Sequence, residues 1–197
     1  MKSLEKSILW LALLGPLSLT AQQSMPPRQV DVAVGLHSYY IPAMGAHWNG
    51  PEPAVYAGVN QPINQKGTLG LSLRLGYSRG QYQGDALQAQ LLFGVTPVIA
   101  QHLEVGVGLG IGYQFSFYPT QSFNRTEEGQ WVKGRRAKGV MQAPLQLSLG
   151  YRTVHFSKVG LTPYVAYQLQ ALFGYSPDLS PLPVSNALLG VKISPIQ

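Results

Sequence analysis

The chain has 197 residues, of which 45% are hydrophobic and 11% are charged, and its formal net charge is +6. Cysteine is absent, which excludes disulfides, thiolate metal sites and lipid attachment through a cysteine. The length allows one domain, and no apolar segment after residue 21 approaches the roughly 20 residues that a membrane-spanning helix needs.

Residues 1–21 are predicted to be an export signal. Two lysines precede the short apolar stretch 8–14, and Ala21 is a small residue at the predicted cleavage site. Residues 22–29 would then form a short periplasmic segment, and residues 30–197 a β-barrel. Without the signal the chain keeps 12 Lys and Arg against 7 Asp and Glu, an excess that anionic lipid headgroups account for.

Apolar residues alternate with small or polar ones over most of the remaining chain, which predicts β-strands with one apolar face. The clearest run, 103–117, exceeds the usual strand of about five or six residues, as a strand that crosses a bilayer does. Pro144 is expected to interrupt the hydrogen-bonded ladder of the sixth strand. In chain order, the predicted strands are 30–40, 54–60, 69–78, 87–96, 103–117, 140–151, 161–173 and 185–193.

The predicted connections alternate between longer outer loops and shorter inner turns, as in bacterial outer-membrane barrels. An even number of strands places both termini on the periplasmic side. The predicted fold is therefore all-β, an eight-stranded antiparallel transmembrane up-and-down β-barrel. The outer loops are expected at 41–53, 79–85, 119–139 and 176–183, and the inner turns at 61–67, 97–101 and 152–158.

The polar face of these strands argues against a soluble barrel, whose outer surface would carry many charges. Gly, Ser, Gln and Thr dominate this face, and its few charges sum to zero, so they can pair across a narrow lumen. If the first and last strands close the barrel, Asp31 and Lys192 are expected to be cross-strand neighbours. The predicted lumen charge network consists of Asp31, Arg74, Glu104 and Lys192.

Taken together, these features resemble the small bacterial outer-membrane β-barrel families, OmpA/OmpX-type barrels among them. The start ending in Ala21-Gln22-Gln23 and the tyrosine- and glycine-rich strands are most similar to small barrels of Bacteroidota. The resemblance covers residues 30–193 as a pattern and implies a location in the outer membrane of a Gram-negative bacterium. The final residues 193–197 depart from the terminal aromatic residue that is common in these proteins.

No catalytic residue is predicted. His37 would face Asn186 across the seam, with Ser38 and Ser185 nearby, and a histidine beside a serine can activate it as a nucleophile. However, Pro183 stands where the His-x-Ser-Asn motif of lipid A deacylases requires its histidine. No metal site or cofactor is expected. A lipid A-modifying enzyme and a narrow porin-like conduit for small or apolar solutes remain alternatives.

The third outer loop is the most distinctive surface of the chain. Its segment 124–138 holds five basic and two acidic residues, which favours phosphates of lipopolysaccharide, an acidic polysaccharide or a partner protein as ligand. A solvated loop above anionic headgroups is the alternative. The expected partners are outer-membrane lipids, lipopolysaccharide and an envelope protein, and no nucleic-acid motif is present. The candidate binding residues are Phe123, Arg125, Trp131, Lys133, Arg135, Arg136 and Lys138.

These observations predict an outer-membrane barrel with a structural or loop-mediated binding or adhesion role, without catalysis.

Overall fold

The computed structural model describes residues 25–38, 52–80, 84–120, 123–152, 154–156, 159–175 and 180–195. The predicted export signal lies outside the described residues. Within these ranges, no helix is long and apolar enough to cross a membrane.

Eight long strands form a closed antiparallel barrel, which confirms the predicted fold class. Each strand pairs with its neighbour in the chain, and the first and last strands pair to close the ring. The strands are β1 (Gln29–Ser38), β2 (Glu52–Pro62), β3 (Leu69–Ser78), β4 (Ala86–Val95), β5 (Leu103–Phe117), β6 (Ala137–Tyr151), β7 (Val159–Phe173) and β8 (Leu182–Pro195).

The predicted strands differ from the observed ones mainly at their ends. Strand β5 has the predicted bounds, whereas β2 and β8 each extend beyond the alternating run at both ends. Strand β6 begins at Ala137 instead of residue 140. The ladders continue past the apolar runs because pairing uses backbone groups, which every residue other than proline supplies in full.

The seam between β1 and β8 has the register that the sequence predicts. Asp31 lies opposite Lys192, and His37 lies opposite Asn186. The next pair toward the end of β1 joins Ser38 to Ser185. Because side chains alternate between the two sides of a strand, this register places Asp31 and His37 on the same side of the sheet.

Pro144 interrupts the ladder of β6 on one edge only. The β5–β6 pairing runs from Leu103 to Leu109 and resumes at Gly112, so residues 110 and 111 have no partners in this ladder. On the other edge, Pro144 lies in register with Gln170 of β7. The missing pairs lie beside the proline, whose nitrogen has no hydrogen to donate.

Apolar side chains face outward from the barrel and polar ones inward, the reverse of a water-soluble barrel. Leu75, Leu109 and Leu189 are each more than 60% exposed. In contrast, Gln168 and Asn186 are completely buried in the lumen. An exterior of this kind is suited to the hydrocarbon of a bilayer.

Two tyrosine rings inside the lumen pack against glycines of the neighbouring strands. Tyr56 lies in register with Gly76, and Tyr164 lies in register with Gly190. A Cβ atom added to either glycine would come within 2.5 Å of the tyrosine ring. The glycines therefore provide the space that each ring occupies, an arrangement in which an aromatic residue covers a glycine on the adjacent strand.

The two ends of the barrel differ. Short connections join β2 to β3, β4 to β5 and β6 to β7 at one end, here named the turn end, and the other four connections lie at the loop end. Near the loop end, Val140, Leu172 and Val184 form a buried apolar cluster against which Tyr175 and Leu182 pack. Its three buried members face inward on the adjacent strands β6, β7 and β8.

Candidate functional site

The lumen is filled by amide side chains, which come from inward positions of four strands. Each of these glutamines is at most 8% exposed. The period of two explains their placement, since each one alternates with an outward apolar or small residue of the same strand. The seven buried glutamines of the described chain are Gln88, Gln90, Gln114, Gln142, Gln146, Gln168 and Gln170.

Hydrogen bonds connect five of these amides across the barrel. Of the other two, Gln114 donates to Ser116, and the amide of Gln142 has no hydrogen-bond partner among the described residues. Arg74, in the middle of β3, donates to the Oε1 atom of Gln146. The Nε2 atom of Gln168 donates to Gln90 at 2.9 Å and, at the limit of 3.5 Å, to Gln146. Gln170 in turn donates to Gln168 at 2.7 Å. Side chains of four strands thus meet in the middle of the lumen.

The same network continues toward the loop end. Gln90 donates to Gln88 at 2.9 Å, and Gln88 donates to the hydroxyl of Tyr56 at 2.9 Å. Tyr56 donates to the Oδ1 atom of Asn186 at 3.2 Å, and that oxygen lies 3.3 Å from Nδ1 of His37. The lumen therefore contains a continuous polar plug.

Two of the predicted lumen charges form a buried ion pair. Arg74 and Asp31 are each 4% exposed, and an Nη2–Oδ2 contact joins them. Tyr164 donates to the other oxygen of Asp31 at 2.6 Å and lies 3.3 Å from the Nη2 atom of Arg74. These additional bonds satisfy groups that would otherwise be costly to bury.

The other two predicted lumen charges pair closer to the turn end. The Nζ atom of Lys192 lies 2.7 Å from Oε2 of Glu104. Arg152 joins them, with its Nε atom 2.5 Å from Oε1 of the same carboxylate. Asp31 and Lys192, although opposite each other in register, thus have their ion-pair contacts with different partners.

Three of these residues were not predicted to lie in the lumen network. Arg152 falls in a predicted inner turn, but it directly follows β6 and reaches the carboxylate of Glu104. Tyr56 lies in the predicted strand 54–60, for which no inward residues were predicted. Tyr164 lies next to the outward Val165, and that alternation was the signal that could have placed it inside.

The structure places His37 inside the barrel, where it is 2% exposed. Its described neighbour is Asn186, which also accepts from Tyr56. Ser185 is 2.7 Å from the hydroxyl of Tyr167. His37 and Asn186 thus pack the lumen near the loop end. Ser185 follows the opposite alternation, so it lies on the outward side of β8, where it is nevertheless buried.

The third outer loop contains a small hairpin that the sequence did not predict. Phe123–Arg125 pairs with Trp131–Lys133, with Phe123 opposite Lys133 and Arg125 opposite Trp131. Opposed residues of an antiparallel pair, and residues two apart in a strand, project from the same face. All four therefore share one face, here named the hairpin face, where Trp131 is 69% and Phe123 is 54% exposed.

The turn of this hairpin is closed by its own backbone. The nitrogen of Thr126 donates to the carbonyl of Gln130 at 2.8 Å, and that of Gly129 donates to the carbonyl of Thr126 at 2.9 Å. Gly129 has a φ of 81°, a conformation that favours glycine. The hairpin face is thus presented by an ordered turn.

The remaining candidate loop residues lie outside the hairpin face. Arg135 and Arg136 are exposed between the hairpin and β6. Lys138 was predicted to belong to the loop, and this placement is wrong, because β6 begins at Ala137. Its Nζ atom donates to the carbonyl of Tyr175 at 2.7 Å. Lys138 therefore joins the start of β6 to the connection between β7 and β8.

No protein-family model and no curated protein match this chain. Neisserial surface protein A (NspA) has a similar structure, with a TM-score of 0.56 and 9% identity over 85% of this chain and 95% of its own. Ail, the attachment invasion locus protein of Yersinia pestis, in complex with the heparin analogue sucrose octasulfate, has a TM-score of 0.51 and 11% identity over 86% and 99%. At these identities the similarity shows the shared fold.

Proposed function

We propose that this chain is a barrel of the Gram-negative outer membrane that presents the hairpin face as an extracellular binding surface and performs no catalysis. Residues 1–21 would direct export, residues 22–29 would lie in the periplasm, and both termini would be periplasmic. The apolar exterior supports the membrane location, as do the structural neighbours, which are small eight-stranded outer-membrane barrels.

The observation that carries the binding role is the composition of the hairpin face. Two exposed aromatic rings alternate there with two cations, so that each ring lies opposite a positive charge. Arginine and lysine bind sulfate, phosphate and carboxylate groups, whereas exposed aromatic rings offer apolar area to a partner. A polyanionic saccharide combines both kinds of group. The polysulfated ligand in the Ail complex supports this class.

Two saccharide sources share this chemistry, namely the phosphorylated sugars of lipopolysaccharide and acidic polysaccharides. An envelope protein with an acidic patch is the other expected partner.

The filled lumen argues against a conduit, because the amide plug crosses it. The burial of His37 inside that plug argues against a lipid-modifying reaction at this residue.

The test measures binding of the folded protein, in nanodiscs of neutral lipid, to immobilised lipopolysaccharide and to a sulfated polysaccharide. We expect Trp131→Ala and the double variant Arg125→Gln/Lys133→Gln each to weaken binding about tenfold, and added salt to weaken it further. Arg28→Gln is the control, since it removes an exposed charge at the turn end. Equal binding by all variants would overturn the proposed role.

A further inference from the structure

A small polar cavity lies in the lumen at the turn end. Its volume is about 140 Å³, and its walls come from the inward side of the barrel. At about 30 Å³ for each water in the liquid, the cavity has room for roughly five waters. Uncharged polar residues make up much of its wall, including Asn60, Ser72, Gln146 and Ser148.

Positive charge exceeds negative charge in this cavity. Among the described lining residues, four are cations and only Glu104 is an anion. Glu104 is 3% exposed and is shared by Arg152 and Lys192, so one carboxylate faces two cations. Asp31, behind the wall, pairs with Arg74. The cations that line the cavity are Lys66, Arg74, Arg152 and Lys192.

Arg74 also has an unused donor. Its two terminal nitrogens contact Asp31, Gln146 and Tyr164. Its Nε atom is buried and has no hydrogen-bond partner among the described residues, although Arg74 lines the cavity. A buried charged donor without an acceptor is costly, so an acceptor in the cavity would stabilise the folded barrel.

We propose that this turn-end cavity binds a phosphate-like oxyanion. A tetrahedral oxyanion accepts several charge-assisted hydrogen bonds at once, and Arg74, Arg152 and Lys192 supply donors around the same space. The polar plug lies on the opposite side of the cavity. The anion therefore enters from the turn end. This site is separate from the hairpin face and does not depend on the function proposed for it.

The ligand chemistry has two sources, free phosphate and the phosphate ester of a lipid headgroup. The experiment uses the full-length folded protein in detergent and measures binding of inorganic phosphate and of glycerol phosphate by calorimetry. The unfolding temperature is measured in parallel with phosphate and with chloride at equal ionic strength. We expect saturable phosphate binding and a higher unfolding temperature in phosphate than in chloride. If glycerol phosphate binds more tightly than inorganic phosphate, the ligand is a lipid headgroup. If inorganic phosphate binds more tightly, the ligand is the free ion.

Two variants with opposite expected effects on phosphate affinity make the test specific. Lys192→Gln removes a donor and should weaken phosphate binding about tenfold. Glu104→Gln removes the competing carboxylate and should tighten binding, even though it leaves the unliganded barrel less stable. Arg79→Gln is the control, since it removes an exposed cation of the loop end that belongs to neither the cavity nor the hairpin face, and it should bind phosphate like the wild type.

The proposal is overturned if phosphate and chloride have equal effects on the wild-type protein. It is equally overturned if the folded Glu104→Gln variant binds phosphate no more tightly than the wild type.

Discussion

Asp31 and Lys192 lie directly opposite each other across the seam that closes the barrel, yet their ion-pair contacts are with other residues. Asp31 pairs with Arg74 of β3, and Lys192 pairs with Glu104 of β5. Ion pairs thus connect the two strands of the seam to β3 and β5. One strand, β2, separates the first two residues in the ring, whereas two strands, β6 and β7, separate the other two.

This arrangement predicts which charges depend on each other. Arg74→Met should lower the free energy of unfolding by about 3–5 kcal/mol, because it leaves the carboxylate of Asp31 buried without its cation. A double-mutant cycle with Asp31→Asn should give a larger coupling energy for Asp31 with Arg74 than for Asp31 with Lys192. Urea unfolding in lipid vesicles measures both. A larger coupling energy for Asp31 with Lys192 would contradict the observed contacts.

The tyrosine–glycine pairs predict a sensitivity to one added methyl group. Gly76→Ala and Gly190→Ala should each lower the free energy of unfolding by about 1–3 kcal/mol, since the new Cβ atom displaces a packed ring. Gly94→Ala and Gly108→Ala are the controls, because their nearest atoms lie at 3.5 Å or more. These controls should change stability by less than about 0.5 kcal/mol. Equal effects at all four positions would show that the rings do not need this space.

The polar plug predicts a barrel that does not conduct. Purified protein in planar bilayers should show no resolved openings, because the amides of Gln90, Gln168 and Gln170 meet in the lumen. The triple variant with alanine at these three positions removes that part of the plug and should show openings. Channels of steady size in the wild-type protein would support the conduit instead.

The apolar exterior predicts a penalty for charge at the middle of the barrel. Leu75→Lys should lower the free energy of unfolding in vesicles by about 2–4 kcal/mol if β3 crosses a bilayer. Val132→Lys is the control, since Val132 is exposed in the hairpin, and its effect should stay within about 0.5 kcal/mol. A variant at Leu75 that is as stable as the control would contradict the membrane location.

The period of two in the sequence was sufficient to predict the barrel and its seam. It gave the alternation of β5 and the common inward side of Asp31 and Lys192. Their register was predicted from their positions at the start of the first strand and the end of the last. The partners across the lumen were not predictable in this way. The contact of Asp31 with Arg74 depends on how far each strand is shifted relative to the next, and alternation does not specify that shift.

The hairpin face was only partly predictable. Its aromatic and basic residues were identified from composition, but their common orientation comes from the pairing of Phe123–Arg125 with Trp131–Lys133. Three residues per strand are too few to show an alternating pattern. Lys138 was grouped with them because it is close in sequence, although the backbone ladder assigns it to β6.

The choice of glutamine for the lumen has a consequence for how this molecule responds to acidity. A primary amide both donates and accepts hydrogen bonds, yet it neither gains nor loses a proton under physiological conditions. Most of the plug therefore keeps its bonding pattern when the surroundings turn acidic or alkaline. A barrel with such a lumen can keep its structure in a compartment whose pH varies with that of the surroundings.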